Sequence, residues 1–264
     1  MKKWEYRGRW ALVTGASAGF GESFARQLAE RGMHLVLTAR RGERLRGLAD
    51  ELAGRHGVQT HIVPLDLAEP GAAERLWEEA SRGREIHLLV NNAGFGVRGA
   101  FHTVARERLV EMVQLNCIAL LELAHLALPG MRARGEGGII NLASLQSFQP
   151  IPMMATYSAT KAFALYLSEA IWAENRKAGV RVVALCPGRS PTEFQEVAGT
   201  SNVSTRMPGI LSADKVVAAG LRALEKGRSY EVPGAPNYLA TYASRLLPRG
   251  FLASTILKLY KRLL

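Results

Sequence analysis

Tyr157 and Lys161 stand four residues apart, and Ser144 lies thirteen positions before the tyrosine. On a helix, a spacing of four puts both side chains on one face, one turn apart. A free phenol titrates near pH 10 and is a poor acid at neutrality. An ammonium group one turn away favours the phenolate, so Lys161 is expected to lower the tyrosine pKa and suit it to proton transfer near neutral pH. Ser144 is expected at a strand end, where its hydroxyl can hold the oxygen of a carbonyl or alcohol. Taken alone, Tyr-x-x-x-Lys describes many surface tyrosines lying along a lysine stem. The reading therefore depends on the rest of the chain.

A second cluster lies near the N-terminus. The apolar run Trp10-Ala11-Leu12-Val13 leads into Thr14-Gly15-Ala16-Ser17-Ala18-Gly19-Phe20-Gly21, and an amphipathic stretch follows from Glu22 to Arg31. Strand, glycine-rich turn and helix in that order are the context in which such a turn binds a dinucleotide. Glycines at 15, 19 and 21 allow a tight turn, close approach to a pyrophosphate, and close packing of helix on strand. The phosphates are expected at the helix N-terminus, where unpaired N–H groups and the helix dipole attract anions.

Further motifs follow in a fixed order. Asn91-Asn92-Ala93-Gly94, Asn116, Ser144, Tyr157-x-x-x-Lys161 and Pro187-Gly188-x-x-x-Thr192 succeed the glycine turn. In order and spacing this set resembles the short-chain dehydrogenase/reductase family, over residues 8–232. The resemblance implies a Rossmann-type, doubly wound, seven-stranded parallel sheet with its active site beyond the strand ends. It implies Tyr157 as acid/base, Lys161 as its partner and a ligand of the nicotinamide ribose, and Ser144 as the group orienting the substrate oxygen. Asn116 would hold the long fourth helix and join a proton relay through water. Cofactor contacts are expected from Gly15, Ser17, Gly19, Phe20 and Gly21, from Asp66 and Leu67, from Asn92, Ala93 and Gly94, and from Pro187, Gly188, Ser190 and Thr192. Pro191 departs from the family pattern and removes one N–H donor.

The type of cofactor is read from the second strand. His34-Leu-Val-Leu-Thr38 ends in Ala39-Arg40-Arg41, with no acid to hold ribose hydroxyls. Guanidinium forks match phosphate bidentately. Arg40 foremost, with Arg41 and Ser17, is expected to take a 2′-phosphate, making the cofactor NADP(H); Arg41 equally suits the exposed start of the next helix.

These groups need a frame. Periodicity predicts strands at 10–14, 34–39, 59–65, 86–91, 138–143, 181–186 and 229–232, alternating with helices at 19–32, 42–56, 70–82, 104–133, 155–178 and 212–227, with more helix after 236. Near-continuous apolar strands such as Leu88-Leu89-Val90 belong to a parallel sheet covered by helices on both faces. The chain has 264 residues, 48% hydrophobic, enough for one core. One α/β domain over residues 1–235 and a C-terminal helical extension over 236–264 are expected. No signal peptide and no bilayer-spanning stretch is expected. Cys117 and Cys186 stand alone in apolar runs, which suits buried free thiols in a cytoplasmic protein. The histidines show no ligand spacing, and no metal is expected. The net charge of +11 is spread over helices without an aromatic platform, so no nucleic-acid partner is expected.

The pocket is expected to be apolar, lined by Phe95, Gln146, Phe148, Ile151, Met154 and Phe194, with Val97, Met153 and Met207 near, to suit a hydrophobic ketone or aldehyde. The 3-oxoacyl-carrier-protein reductases share the motifs, but generally lack such a tail. A dinucleotide-binding regulatory or interaction protein on the same fold is the alternative from another class; relatives of that kind would be expected to lack the tyrosine or lysine. A homo-oligomer, dimer or tetramer, is expected through helices 104–133 and 155–178. Residues 241–264 carry five basic residues and no acid. Leu252, Ile256, Leu259 and Leu263 recur at helical spacing, with Lys258, Lys261 and Arg262 off that stripe. Such a helix docks on protein or lies weakly on a membrane surface, with docking favoured.

Overall fold

Val13, Leu37, Leu88, Leu89, Ile139, Ile140, Val182 and Val183 are all fully buried, so the strands that carry them form the middle layer of the molecule. The computed structural model describes residues 3–199, 209–242 and 246–262, the last four by backbone alone. Met207 and Leu263 lie outside the described residues, as do the side chains of Leu259, Lys261 and Arg262.

Seven strands pair in parallel: β1 (Trp10–Thr14), β2 (His34–Ala39), β3 (Thr60–Pro64), β4 (Ile86–Asn91), β5 (Gly137–Leu142), β6 (Val180–Leu185) and β7 (Tyr230–Glu231). Their spatial order is β3-β2-β1-β4-β5-β6-β7. The chain winds outward from β1 to β3 and returns to place β4 on the other side of β1. A crevice opens where the winding direction switches, beyond the carboxyl ends of β1 and β4.

On one face lie α1 (Gly19–Glu30), α2 (Gly42–His56) and, later in the chain, Ala213–Glu225. On the other lie α3 (Ala72–Ser81), α4 (Arg106–Val113), α5 (Leu120–Arg134) and α6 (Ala155–Asn175). Each fully buried Leu, Ile or Val adds roughly 1.5–3 kcal/mol. These two apolar layers therefore fix the sheet against both sets of helices. A four-residue helix, α7 (Phe194–Val197), precedes α8 (Ala213–Glu225), and α9 (Ala235–Ala240) and α10 (Arg249–Arg262) complete the described chain.

The predicted helix over 104–133 is one continuous rod with a fault in it. A π-helical turn, Gln114–Ala119, joins α4 to α5. Residues 106–134 are long and apolar enough in composition to cross a membrane. They are instead the crossover between neighbouring strands β4 and β5, with one face packed on the sheet. Leu252 is buried, and Ile256 packs against Phe95, Met112, Ile151, Met154 and Tyr157. Through Ile256, α10 therefore packs on the cluster that holds Tyr157.

Candidate active site

The ends of β1, β2, β4, β5 and β6 meet around one cleft of about 430 Å³. At the glycine turn, Gly15 and Gly19 have φ of +65° and +58°, backbone that glycine alone adopts without strain. Gly21 acts through its missing side chain, since a Cβ there would lie 2.1 Å from the Gly15 carbonyl oxygen. It packs α1 onto the turn and does not line the cleft, so its expected contact with the cofactor becomes a packing role. Ala18 caps α1 without a side-chain acceptor. The first amides of the helix are thereby left for an anion.

Thr14 and Asn92 hold this turn. The Thr14 hydroxyl accepts from the backbone N–H groups of Asn92 and Ala93, each at 2.9 Å. Asn92 Nδ2 donates to the carbonyls of Thr14 (2.8 Å) and Gly15 (3.2 Å). Asn91 works on the other side, donating to Asn141 Oδ1 and to the Leu120 carbonyl. Thr14 opens the glycine motif in the sequence, which gives no sign that its hydroxyl ties the turn to the loop after β4.

The two arginines differ in what they touch. Arg41 Nε and Nη2 lie 3.2 and 3.1 Å from Ser17 Oγ, and Nη1 donates to Glu193 at 2.8 Å. Arg40 is the more exposed, 68% accessible, and reaches only Asp66, at 3.6 Å. Both arginines line the cleft, as expected, and Arg41 is the one that reaches Ser17. Arg41 is the N-cap of α2 and its side chain lies over Ser17, while Arg40 lines the cleft beside Asp66.

The third group sits deeper. Ser144 caps the short turn Leu145–Phe148: its Oγ accepts from the Gln146 N–H at 3.1 Å, while Ser147 Oγ accepts from the Ser144 N–H at 3.1 Å and donates to the Lys161 carbonyl at 2.8 Å. Ser147 thus ties the serine turn to α6. Its signal in the sequence is Ser-x-x-Ser, a capping pattern. Asn116 sits in the π turn and spends its whole amide there. Its Oδ1 accepts from the Phe95 N–H (3.1 Å), and Nδ2 donates to the Phe95 carbonyl (2.9 Å) and to Thr160 Oγ1 (3.0 Å). Thr160 in turn donates to the Tyr157 carbonyl at 2.8 Å. Asn116 does not line the cleft; it fixes the loop after β4 to the tyrosine's helix.

Tyr157 and Lys161 are both buried, at 6% and 5% exposure. Lys161 Nζ donates to the Leu142 carbonyl at 2.7 Å and lies 5.9 Å from the centre of the Tyr157 ring. Burial pushes the phenol up to about 12, opposed by a hydrogen bond with Ser144. Burial likewise pushes the lysine down to about 8. Burial thus acts on the tyrosine in the direction opposite to the expected lowering.

Phe95, Gln146, Met154 and Phe194 line the substrate side of the cleft. Phe148, Ile151 and Met153 do not, which corrects the expected wall. The Phe148 ring packs inward on Tyr230 at 6.1 Å, and Ile151 lies behind the wall in the Tyr157 cluster. Two polar atoms at the cleft are buried without a partner, Ser190 Oγ and Gln146 Oε1. An unpaired buried hydroxyl or amide oxygen is costly unless a ligand completes it. With the open helix end and the Ser17–Arg41 corner, the residues present fit a phosphorylated nicotinamide dinucleotide. Cys117 and Cys186 are free and buried, and burial raises both thiols, Cys117 to about 11. Among the described residues, no three His, Cys, Asp or Glu converge as metal ligands.

A family model described as short chain dehydrogenase matches residues 9–202. The very-long-chain 3-oxoacyl-CoA reductase of Anas platyrhynchos is 32% identical over 198 residues, 74% of this chain; the chain spans 64% of that relative's length. Among solved structures, a short-chain dehydrogenase from Sphingobium yanoikuyae in complex with NADPH superposes with a TM-score of 0.81 at 32% identity, over 90% of this chain and 93% of that one. A 7beta-hydroxysteroid dehydrogenase gives a TM-score of 0.86 at 25% identity, over 97% and 99%.

Proposed function

The chain belongs to the short-chain dehydrogenase/reductase family, and we propose that it reduces the carbonyl of a hydrophobic ketone or aldehyde with NADPH. The single observation that carries this reading is that Ser144, Tyr157 and Lys161, all buried, converge on the wall of the cleft that also holds the glycine turn and Arg41. NADPH supplies the hydride when bound. Tyr157 gives its proton to the carbonyl oxygen, and Ser144 holds that oxygen by its hydroxyl. A phenol raised by burial is in the form that reduction needs. Lys161 and the Ser144 hydrogen bond favour the phenolate left behind, and Lys161 is also assigned the nicotinamide ribose. Gly15, Ser17 and the α1 amides hold the phosphates, with Arg41 on the 2′-phosphate. Asp66 and Leu67 take the adenine side, and Ser190 and Thr192 the nicotinamide side.

A hydrophobic substrate is supported by Phe95, Met154 and Phe194 on the wall and by the names of the relatives. Acyl thioesters, steroids and bulky ketones are the classes to try first. The chain is further assigned a homo-oligomeric state. Val110, Val113, Ile118 and Leu121 are exposed along α4 and α5, with Tyr166 on α6, an apolar strip that a second copy would cover. Ala164, Leu165 and Ile171 of α6 face their own core and leave Tyr166 as the exposed large apolar residue of that helix. Domain limits near residue 235, a docked rather than membrane-bound α10, and a cytoplasmic location complete the proposal. Ile256 beside the Tyr157 cluster supports docking.

The competing reading is a dinucleotide-binding regulatory protein, for which the tyrosine and lysine have no use. Purified protein incubated with NADPH and a panel of ketones, aldehydes and 3-oxoacyl thioesters separates the two. Loss of reduced-nicotinamide absorbance with a carbonyl present supports the enzyme, whereas tight NADPH binding without turnover across the panel favours the regulator.

A further inference from the structure

Glu193 stands between two working residues. Thr192 lies against the glycine turn, where a Cβ on Gly19 would be 3.4 Å away. On the other side the Phe194 ring packs on Tyr157, centroid to centroid 5.3 Å. The Glu193 carboxylate itself spans two guanidiniums. Oε2 accepts from Arg41 at 2.8 Å, and Oε1 from Arg44 at 2.5 Å. Arg41 simultaneously reaches Ser17, and Arg41, Ser17 and Glu193 all line the cleft. Arg40 and Asp66, paired with each other, are the other charges at this corner.

A phosphate that joins Ser17 and Arg41 therefore meets a carboxylate already on the same guanidinium. Both are anions, and both accept from the same fork. They cannot occupy it together without like-charge repulsion. Glu193 also opens α7, so whatever moves it acts on the segment that packs on Tyr157.

We infer that Glu193 is a specificity-determining residue: in the cofactor-free protein it occupies the place of the cofactor's 2′-phosphate on Arg41, and the arriving phosphate displaces it and unfastens α7 from α2. NADH leaves the Glu193–Arg41–Arg44 bridge intact, while NADPH must break part of it. Glu193 thus sets how far the arginines discriminate between the two cofactors, and it makes the substrate-side segment sense which one has bound. The inference rests on Arg41 as the 2′-phosphate ligand.

Two small probes isolate the effect from the nicotinamide. Adenosine 2′,5′-bisphosphate carries the 2′-phosphate and AMP lacks it. Calorimetry on the full-length, cofactor-free protein gives both affinities for the unaltered chain and for Glu193→Gln, a half-exposed position where the fold tolerates the change. The bisphosphate should bind Glu193→Gln about fivefold more tightly, as expected for releasing one partly exposed ion pair, while AMP binding stays the same. An unchanged or weaker bisphosphate affinity, or equal tightening of AMP, overturns the inference. If the unaltered protein fails to distinguish the probes, Arg41 is not the phosphate ligand and the underlying reading falls with it. Hydrogen exchange at the amides of residues 195–199 tests the unfastening. It should quicken with bisphosphate and not with AMP in the unaltered chain; no difference between the probes refutes that half.

Discussion

At the scale of single residues, burial decides more than neighbouring charge. Lys161 is the clearest case. Its pKa falls from 10.5 to about 8 because desolvation penalises the ammonium. Between those values the unfolded chain holds a proton that the folded chain has lost, so this residue's contribution to stability rises with pH across that window. Below about pH 8 the folded protein carries the penalty in full. Lys161→Met should therefore melt higher than the unaltered protein at neutral pH, without cofactor, and the gap should narrow toward pH 10; melting curves across that range check it, and a gap that widens contradicts it. Arg41 makes a second case. Arg41→Ala should cut the NADPH-over-NADH preference by about tenfold, the worth of one charge-assisted bond, measured as the ratio of kcat/KM values. Arg40→Ala should change the ratio much less. The sequence showed that both arginines follow β2, but not which one reaches Ser17. That depends on the backbone at the α2 N-cap and on Glu193, which is remote in the chain.

At the scale of elements, what was legible was local. Apolar runs and glycine punctuation located the seven strands and the main helices to within a few residues, because a buried strand between helices leaves a continuous signal. The Tyr157–Lys161 pair was legible because helical geometry alone puts both on one face. The π turn at Gln114–Ala119 was not legible. It is held by Asn116 bonds to Phe95 and Thr160, which no periodicity reveals. The misplacement of Phe148 has the same origin, since its direction is set by Tyr230 across the fold. Asn116→Ala should remove three bonds at once and leave the buried Phe95 N–H unpaired. Thermal unfolding should show a loss of about 2–4 kcal/mol, from about 1–3 kcal/mol for each buried group left unsatisfied, partly relieved by relaxation. Turnover should fall with it, because the loop and α6 lose their common tie. An unchanged melting temperature would show that the π turn stands without the asparagine.

At the scale of the whole molecule, the switch between β1 and β4 brings the ends of five strands to one cleft, and an apolar strip along α4 and α5 stays exposed in the single chain. Paired changes of Val110 and Ile118 to Glu should move the protein to monomer by light scattering at micromolar concentration, whereas an unaltered chain that is itself monomeric refutes the assembly. The cleft, however, carries the central claim, that Tyr157 delivers the proton to a reduced carbonyl. Tyr157→Phe keeps the ring and its packing on Phe194 but deletes the hydroxyl. The most direct measurement is therefore turnover of the best carbonyl found with NADPH, alongside the NADPH dissociation constant of the same variant. In this variant kcat should fall about 10²–10⁴-fold, the range for a lost general acid, with cofactor affinity unchanged. Turnover close to that of the unaltered protein would contradict it.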